Sequence, residues 1–300
     1  MLIHVSTPKP FRRSILLLGG VASLVFIVAG VYGCRTLARI EYGDETAAAL
    51  PVDGASADSG DAGDIAQESV VFTARESGIL TGPLDESGSV ASVVFWPAGD
   101  RTDRFLVNDA EGDEPVTVVR TITRLEDGTV EVVRTPERDD AAPDFASRTV
   151  LAREDGGVVV VRFNAASKIE STFDPASLFL PSSLKAGELV ERPFTVDAVG
   201  PRFGTGKGEG SITVTGLGTQ AVRTPAGDYQ AFVFASESSF QIGPATISRA
   251  RRAWVALSAA SGSTADLPGI VAEESGQTVK VFGISFSSKA WVSVIETPGD

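Results

Sequence analysis

The chain has 300 residues, room for one large domain or two modest ones, and its 43% hydrophobic content is ordinary for a chain that buries a core. Its formal net charge is −13, and a surface of that sign repels phosphate backbones and disfavours a nucleic-acid partner. His4 is the single histidine and Cys34 the single cysteine, so residues 35–300 cannot build a Ser-His-Asp or Cys-His nucleophile, a zinc site on His or Cys, or an intramolecular disulfide.

Residues 1–13 carry Lys9, Arg12 and Arg13 and no acid. Residues 14–33, SILLLGGVASLVFIVAGVYG, carry no charge at all. As a helix they would span about 30 Å, the thickness of a bilayer core. The basic residues on the N-terminal side place 1–13 in the cytoplasm as a short tail and the rest of the chain outside it. The run ends in Val31-Tyr32-Gly33-Cys34. Val31 and Gly33 fit the box that precedes a lipidated cysteine, whereas Tyr32 stands where a small or β-branched residue is usual. Two anchors therefore remain open: a transmembrane helix over 14–33, or the signal segment of a lipoprotein with Cys34 as its lipidation site. Either one exports the domain and holds it at a membrane of a bacterial envelope.

Residues 34–69 read as an acidic disordered linker. The part from 41 to 69 holds eight acids, no base, and many Ala, Gly and Ser. Such a segment cannot bury enough apolar surface to offset its ordering entropy. Asp53, Asp58, Asp61 and Asp64 do not have the spacing of a calcium loop.

From about Val70 to residue 297 the pattern has period two, which predicts an extracytoplasmic β-domain. Val116–Arg124 and Thr129–Arg134 alternate on either side of Asp127-Gly128, a hairpin signal. Arg148–Arg153 and Val158–Phe163 flank a second turn at Asp155-Gly156-Gly157. Further strands are expected at 70–74, 90–96, 102–108, 209–216, 219–223, 228–240, 245–258, 278–286 and 289–296, with one short helix near 176–185. The fold class is mainly β: a large curved antiparallel sheet, a half-barrel or barrel, with few short helices.

Two motifs fail on inspection. Gly204-Thr-Gly-Lys-Gly-Glu-Gly210 lacks the strand–loop–helix context and the Lys-Ser/Thr of a phosphate loop. Its alternate glycines instead leave one strand face bare, which allows a bend or the close approach of another backbone or a ligand. Ser182-Ser183-Leu184-Lys185 matches S-x-x-K but has no companion K-T-G or S-D-N element. Trp96 ends an early strand, and Trp254 and Trp291 fall within late strands, where aromatics pack across strands or offer a ligand platform. Arg251 and Arg252, beside Trp254, suit an anionic ligand or a solvent face.

Leu184-Lys185-Ala186-Gly187, Val222-Arg-Thr-Pro-Ala-Gly-Asp-Tyr-Gln-Ala231, Arg252-Ala-Trp254 and Pro268-Gly-Ile-Val271 follow in that order. This series resembles an uncharacterised family of bacterial envelope β-domains, over residues 170–296. That family is similar in outline to the lipoprotein-carrier half-barrels, in which a curved sheet wraps an apolar groove. Leu189 replaces the aromatic usual after the Lys-x-Gly element. The resemblance implies no catalytic residues and no cofactor. The expected function is non-catalytic binding, of an apolar or amphipathic ligand or of an envelope protein. A hydrolase using paired carboxylates and a structural envelope component are the alternatives.

Overall fold

A computed structural model describes residues 73–74, 79–97, 99–109, 114–137, 145–165, 169–200, 204–259 and 267–298. The tail, the apolar run, Cys34 and the acidic linker lie outside the described residues. The described strands are β1 (Thr73–Ala74), β2 (Leu80–Asp85), β3 (Ser89–Ala91), β4 (Arg101–Asp109), β5 (Val116–Arg124), β6 (Val130–Pro136), β7 (Ser147–Glu154) and β8 (Gly157–Ala165). They continue as β9 (Glu170–Pro181), β10 (Ser183–Lys185), β11 (Leu189–Gly200), β12 (Gly204–Thr224), β13 (Gly227–Ile242), β14 (Ala245–Ala259), β15 (Ile270–Val281) and β16 (Ile284–Thr297). One 3-10 turn covers Ser92–Phe95. Among the described residues no helix is long and apolar enough to cross a membrane.

Twelve of these strands close into an antiparallel barrel. From β4 to β9 each strand pairs with the next, β9 pairs with β11, and the meander continues to β16, which pairs back with β4. The half-barrel alternative is thus resolved as a closed ring, which leaves no long unpaired edge. The chain is built for hairpins. At the β5–β6 turn, Asp127 Oδ1 accepts from the Thr129 N–H and hydroxyl, and Gly128 takes φ 83°. At the β12–β13 turn, the Thr224 hydroxyl donates to the Gly227 carbonyl.

β12 does more than one job. Its first half pairs with β11, its last residues with β2, and nearly its whole length with β13. The sequence split it into two strands at 209–216 and 219–223. The structure keeps one strand of 21 residues with a bulge between Gly216 and Gly218. The bare glycine face serves backbone approach: a Cβ on Gly208 would lie 2.1 Å from the Gln241 carbonyl oxygen of β13.

The expected helix at 176–185 is instead the end of β9 and the short β10. Ala176, Leu178, Leu180 and Leu184 are buried and are claimed by the barrel core, so tertiary packing overrides the local pattern. β10 pairs with β3 inside a cluster that includes Val90, Leu184, Phe232, Phe234, Val255 and Ile270. The region around 90–96 is accordingly a short strand and a 3-10 turn rather than one strand. Burying each of these large side chains stabilises the fold by roughly 1.5–3 kcal/mol. Along β13, Phe232 and Phe234 sit in this packed cluster, whereas Ser236, Ser238 and Phe240 line an open space. The interior is therefore solid over one length of the strands and hollow over the next.

Candidate functional site

The hollow has a volume of about 300 Å³. Its walls differ in chemistry. Register places Ser236 of β13 beside Arg251 of β14 and Ser275 of β15, and Ser238 beside Arg249 and Gln277. Glu273 lies beside Ser293 of β16, and all of these residues line the space. The apolar lining comes from Phe163 (β8), Phe173 (β9), Phe194 (β11) and Ile212 (β12), joined by Phe240, two residues along β13 from Ser238. Phe173, Phe194 and Phe240 form an edge-to-face series, with centroids 5.4 and 6.0 Å apart. One wall is thus rich in hydrogen-bond donors and the other is apolar.

Four arginines line the hollow, Arg120, Arg134, Arg249 and Arg251, against one carboxylate, Glu273. Glu273 Oε2 accepts from Arg134 Nη2 at 3.2 Å and from Arg251 Nη2 at 3.1 Å. Burial by itself would push this carboxyl up; the charges of Arg251 and Arg134 and their hydrogen bonds outweigh it and hold it at about 2. Burial lowers the pKa of the Arg251 guanidinium, with Glu273 opposing the shift. An arginine stays protonated nonetheless. The Arg251 guanidinium carbon lies 4.5 Å from the centre of the Phe179 ring and 5.6 Å from that of Phe234. Its Nε is buried without a hydrogen-bond partner. Arg249 donates from Nε to Gln277 Oε1 at 2.8 Å and lies 4.7 Å from the centre of the Phe163 ring.

At one margin of the hollow stands a second charge cluster. Asp103, fully buried, accepts from Arg101 Nε and from Arg120 Nε and Nη2, the latter at 3.1 and 2.6 Å. Arg120 also donates to the Pro268 carbonyl and Arg101 to the Leu267 carbonyl, which fastens β4 and β5 to the entry of β15.

The residues singled out from the sequence part company here. Trp291 and Arg251 line the hollow. Arg252 pairs with Glu274 at 3.7 Å and is not a lining residue. Trp254 is fully buried and not a lining residue; its indole N–H donates to Gln220 Oε1, and the Gln220 amide donates to the Gly82 carbonyl of β2. It packs with Val222, Tyr229, Val233 and Ala272. The sequence reading passed over Arg120, Arg134, Arg249 and Glu273. One signal was present: Arg249 and Arg251 are two apart on one strand and so share a face. Among the described residues no group of His, Cys, Asp and Glu is arranged to hold a metal.

No family model matches the chain, and no curated protein matches it. Among solved structures the chain is similar to an inferred exported protein with YmcC-like fold from Bacteroides fragilis, at 13% identity and a TM-score of 0.39 over 69% of this chain and 99% of that one. It is similar to the hypothetical lipoprotein YmcC from Escherichia coli at 11% identity and 0.35, covering 67% of this chain and 87% of that one. It is similar also to an inferred lipoprotein from Parabacteroides distasonis at 10% identity and 0.36, covering 68% and 97%.

Proposed function

We propose that this chain is a membrane-tethered, extracytoplasmic β-domain that works by binding, and that its barrel holds an apolar or amphipathic ligand. The observation that carries the reading is the hollow. Its volume of about 300 Å³ is at the lower end of the ~300–1,000 Å³ common for small-molecule sites. That size suits one short chain or ring system and not a lipid with several long chains. Catalysis has less support: the lining offers one carboxylate, and Glu273, held ionised by two arginines, cannot supply a proton at neutral pH. The barrel wall suits an aqueous compartment. On β11, Phe194 and Val196 are buried, while Glu191, Thr195 and Asp197 are exposed among Leu189, Pro193 and Val199, where a lipid-facing wall would be apolar without such charges. The tether rests on the uncharged run 14–33, the basic residues before it and Cys34.

Native mass spectrometry of the full-length protein, released from detergent, tests the reading. Wild type is expected to carry a small co-purifying amphiphile and to bind an apolar dye. Ser238→Trp, which fills the hollow from its polar wall, is expected to lose both. A wild-type protein with neither adduct nor dye binding refutes the ligand. For the tether, an alkyne fatty acid that labels wild type but not Cys34→Ser identifies a lipoprotein, and an unlabelled protein of full mass identifies a transmembrane anchor.

A further inference from the structure

We infer that the occupant of the hollow is anionic: a single-chain amphiphile whose carboxylate or phosphate head lies against Arg249, Arg251 and the wall serines and whose tail lies along Phe163, Phe173, Phe194 and Phe240. The inference rests on the binding reading above and adds the charge of the ligand and its orientation. Two observations carry it. First, the polar wall is made mainly of donors: two guanidinium groups on β14 and, in register beside them, Ser236, Ser238 and Ser275. Hydroxyls turn to suit either partner, whereas guanidinium groups only donate, and their planar fork matches a carboxylate or phosphate. Second, four arginines line the hollow against two carboxylates, Glu273 in the lining and Asp103 behind Arg120, in a protein whose formal charge is −13. The excess of positive charge is local to a space partly shielded from water, where charge acts with less screening than on the surface.

The aromatic wall fixes the other end. The Phe173–Phe194–Phe240 series offers ring edges and faces but no polar atom, so it takes hydrocarbon. A cationic head on the polar wall would meet arginines. A neutral head would gain hydrogen bonds from the serines but nothing from the charges.

The test uses the full-length chain in phosphatidylcholine nanodiscs and ligands that share a tail, titrated by calorimetry: octanoate, octyl phosphate, octanol and octyltrimethylammonium, with inorganic phosphate as the headgroup alone. Octanoate or octyl phosphate is expected to bind at least tenfold more tightly than octanol, with no binding of the cation. Inorganic phosphate is expected to bind far more weakly than octyl phosphate. Arg249→Gln is expected to weaken octanoate about tenfold and to leave octanol unchanged. Equal affinity for octanoate and octanol overturns the anionic head while leaving the amphiphile reading intact. Inorganic phosphate binding as tightly as octyl phosphate overturns the role of the tail. Binding of none of the series overturns both readings. The wild-type series decides these outcomes even where a substitution unfolds the barrel.

Discussion

Removing the charge of Asp103 should cost this fold a large part of its stability. The carboxylate is fully buried and accepts three hydrogen bonds from Arg101 and Arg120, and Arg120 is itself 3% exposed. Asp103→Asn keeps the volume and removes the charge. The Arg120 guanidinium is then a buried cation without its counter-charge, left with neutral acceptors, the new amide oxygen and the Pro268 carbonyl, and the ring of Phe105, whose centre lies 4.5 Å away. Breaking a buried ion pair in this one-sided way costs about 3–5 kcal/mol. Set against a typical total of about 5–15 kcal/mol, the loss is a third or more. With an m-value near ~3 kcal/mol/M in urea, suited to a large domain, the unfolding midpoint falls by roughly 1–1.7 M with m unchanged. The pair as a whole is worth far less than its halves. Asp103→Leu combined with Arg120→Met replaces two charges by apolar groups and leaves Arg101 with the Leu267 carbonyl as acceptor, and this double variant should recover part of the loss in a double-mutant cycle. A loss below about 1 kcal/mol for Asp103→Asn, or a double variant as unstable as the sum of the singles, would refute the reasoning.

Four further outcomes follow from other parts of the barrel. Gln220→Leu removes the acceptor that the Trp254 indole N–H uses and the donor that the Gly82 carbonyl uses, each loss costing about 1–3 kcal/mol, and chemical denaturation should show a loss of roughly 2–6 kcal/mol. Gly208→Ala drives a methyl into the Gln241 carbonyl and should cost at least ~2 kcal/mol, whereas Thr205→Ala, on an exposed position of the same strand, should stay within ~0.5 kcal/mol by the same assay. Phe282, 65% exposed at φ 51° in the two-residue turn between β15 and β16, pays for a left-handed backbone, and Phe282→Asn should raise stability by about 1 kcal/mol in thermal unfolding. Glu273 has its pKa depressed in the fold from an ordinary 4.5 to about 2, so its contribution, on the order of 3 kcal/mol, is complete above about pH 5 and lost as pH falls toward 2. Urea midpoints of wild type should drop across that window more steeply than those of Glu273→Gln, and parallel curves would contradict the assignment.

Alternation made most of the wall legible. The β5–β6 and β7–β8 hairpins stand where Asp127-Gly128 and Asp155-Gly156 divide alternating runs. The last hairpin was misplaced because its turn is Phe282-Gly283 rather than Asn-Gly, so hydrophobicity ran through the turn and carried the expected strand to 286. β2, β9 and β11 were missed for a related reason. Pro83, Pro175, Pro181 and Pro193 interrupt them, and proline argues against a strand unless pairing elsewhere supports it. The site was less legible than the wall. Arg120 and Arg134 come from the β5–β6 hairpin and Arg249 and Glu273 from the β14–β15 pair, and only closure of the ring brings them to one space. Trp254 drew notice for its size, yet size and burial go together, and it holds β2 to the barrel instead of facing the hollow.

The character of that hollow argues for binding more strongly than its volume does. A barrel of this length could be filled with apolar side chains throughout, as it is around Phe232, Phe234 and Leu180. Beyond that cluster the interior keeps both an empty space and a charged triad of Arg134, Arg251 and Glu273. Each stands where a packed apolar core would serve stability as well or better. A void forfeits packing in proportion to its volume, and a buried ion pair is commonly no better than apolar residues of the same shape. The two coincide in one place, on the inner face of the barrel. Natural sequences depart from local rules of stability where function requires it. A structural envelope component needs a wall and a core and has no use for a donor-rich cavity at its centre. An arginine wall facing a phenylalanine wall is what a protein needs in order to hold a molecule with a charged end and an oily one.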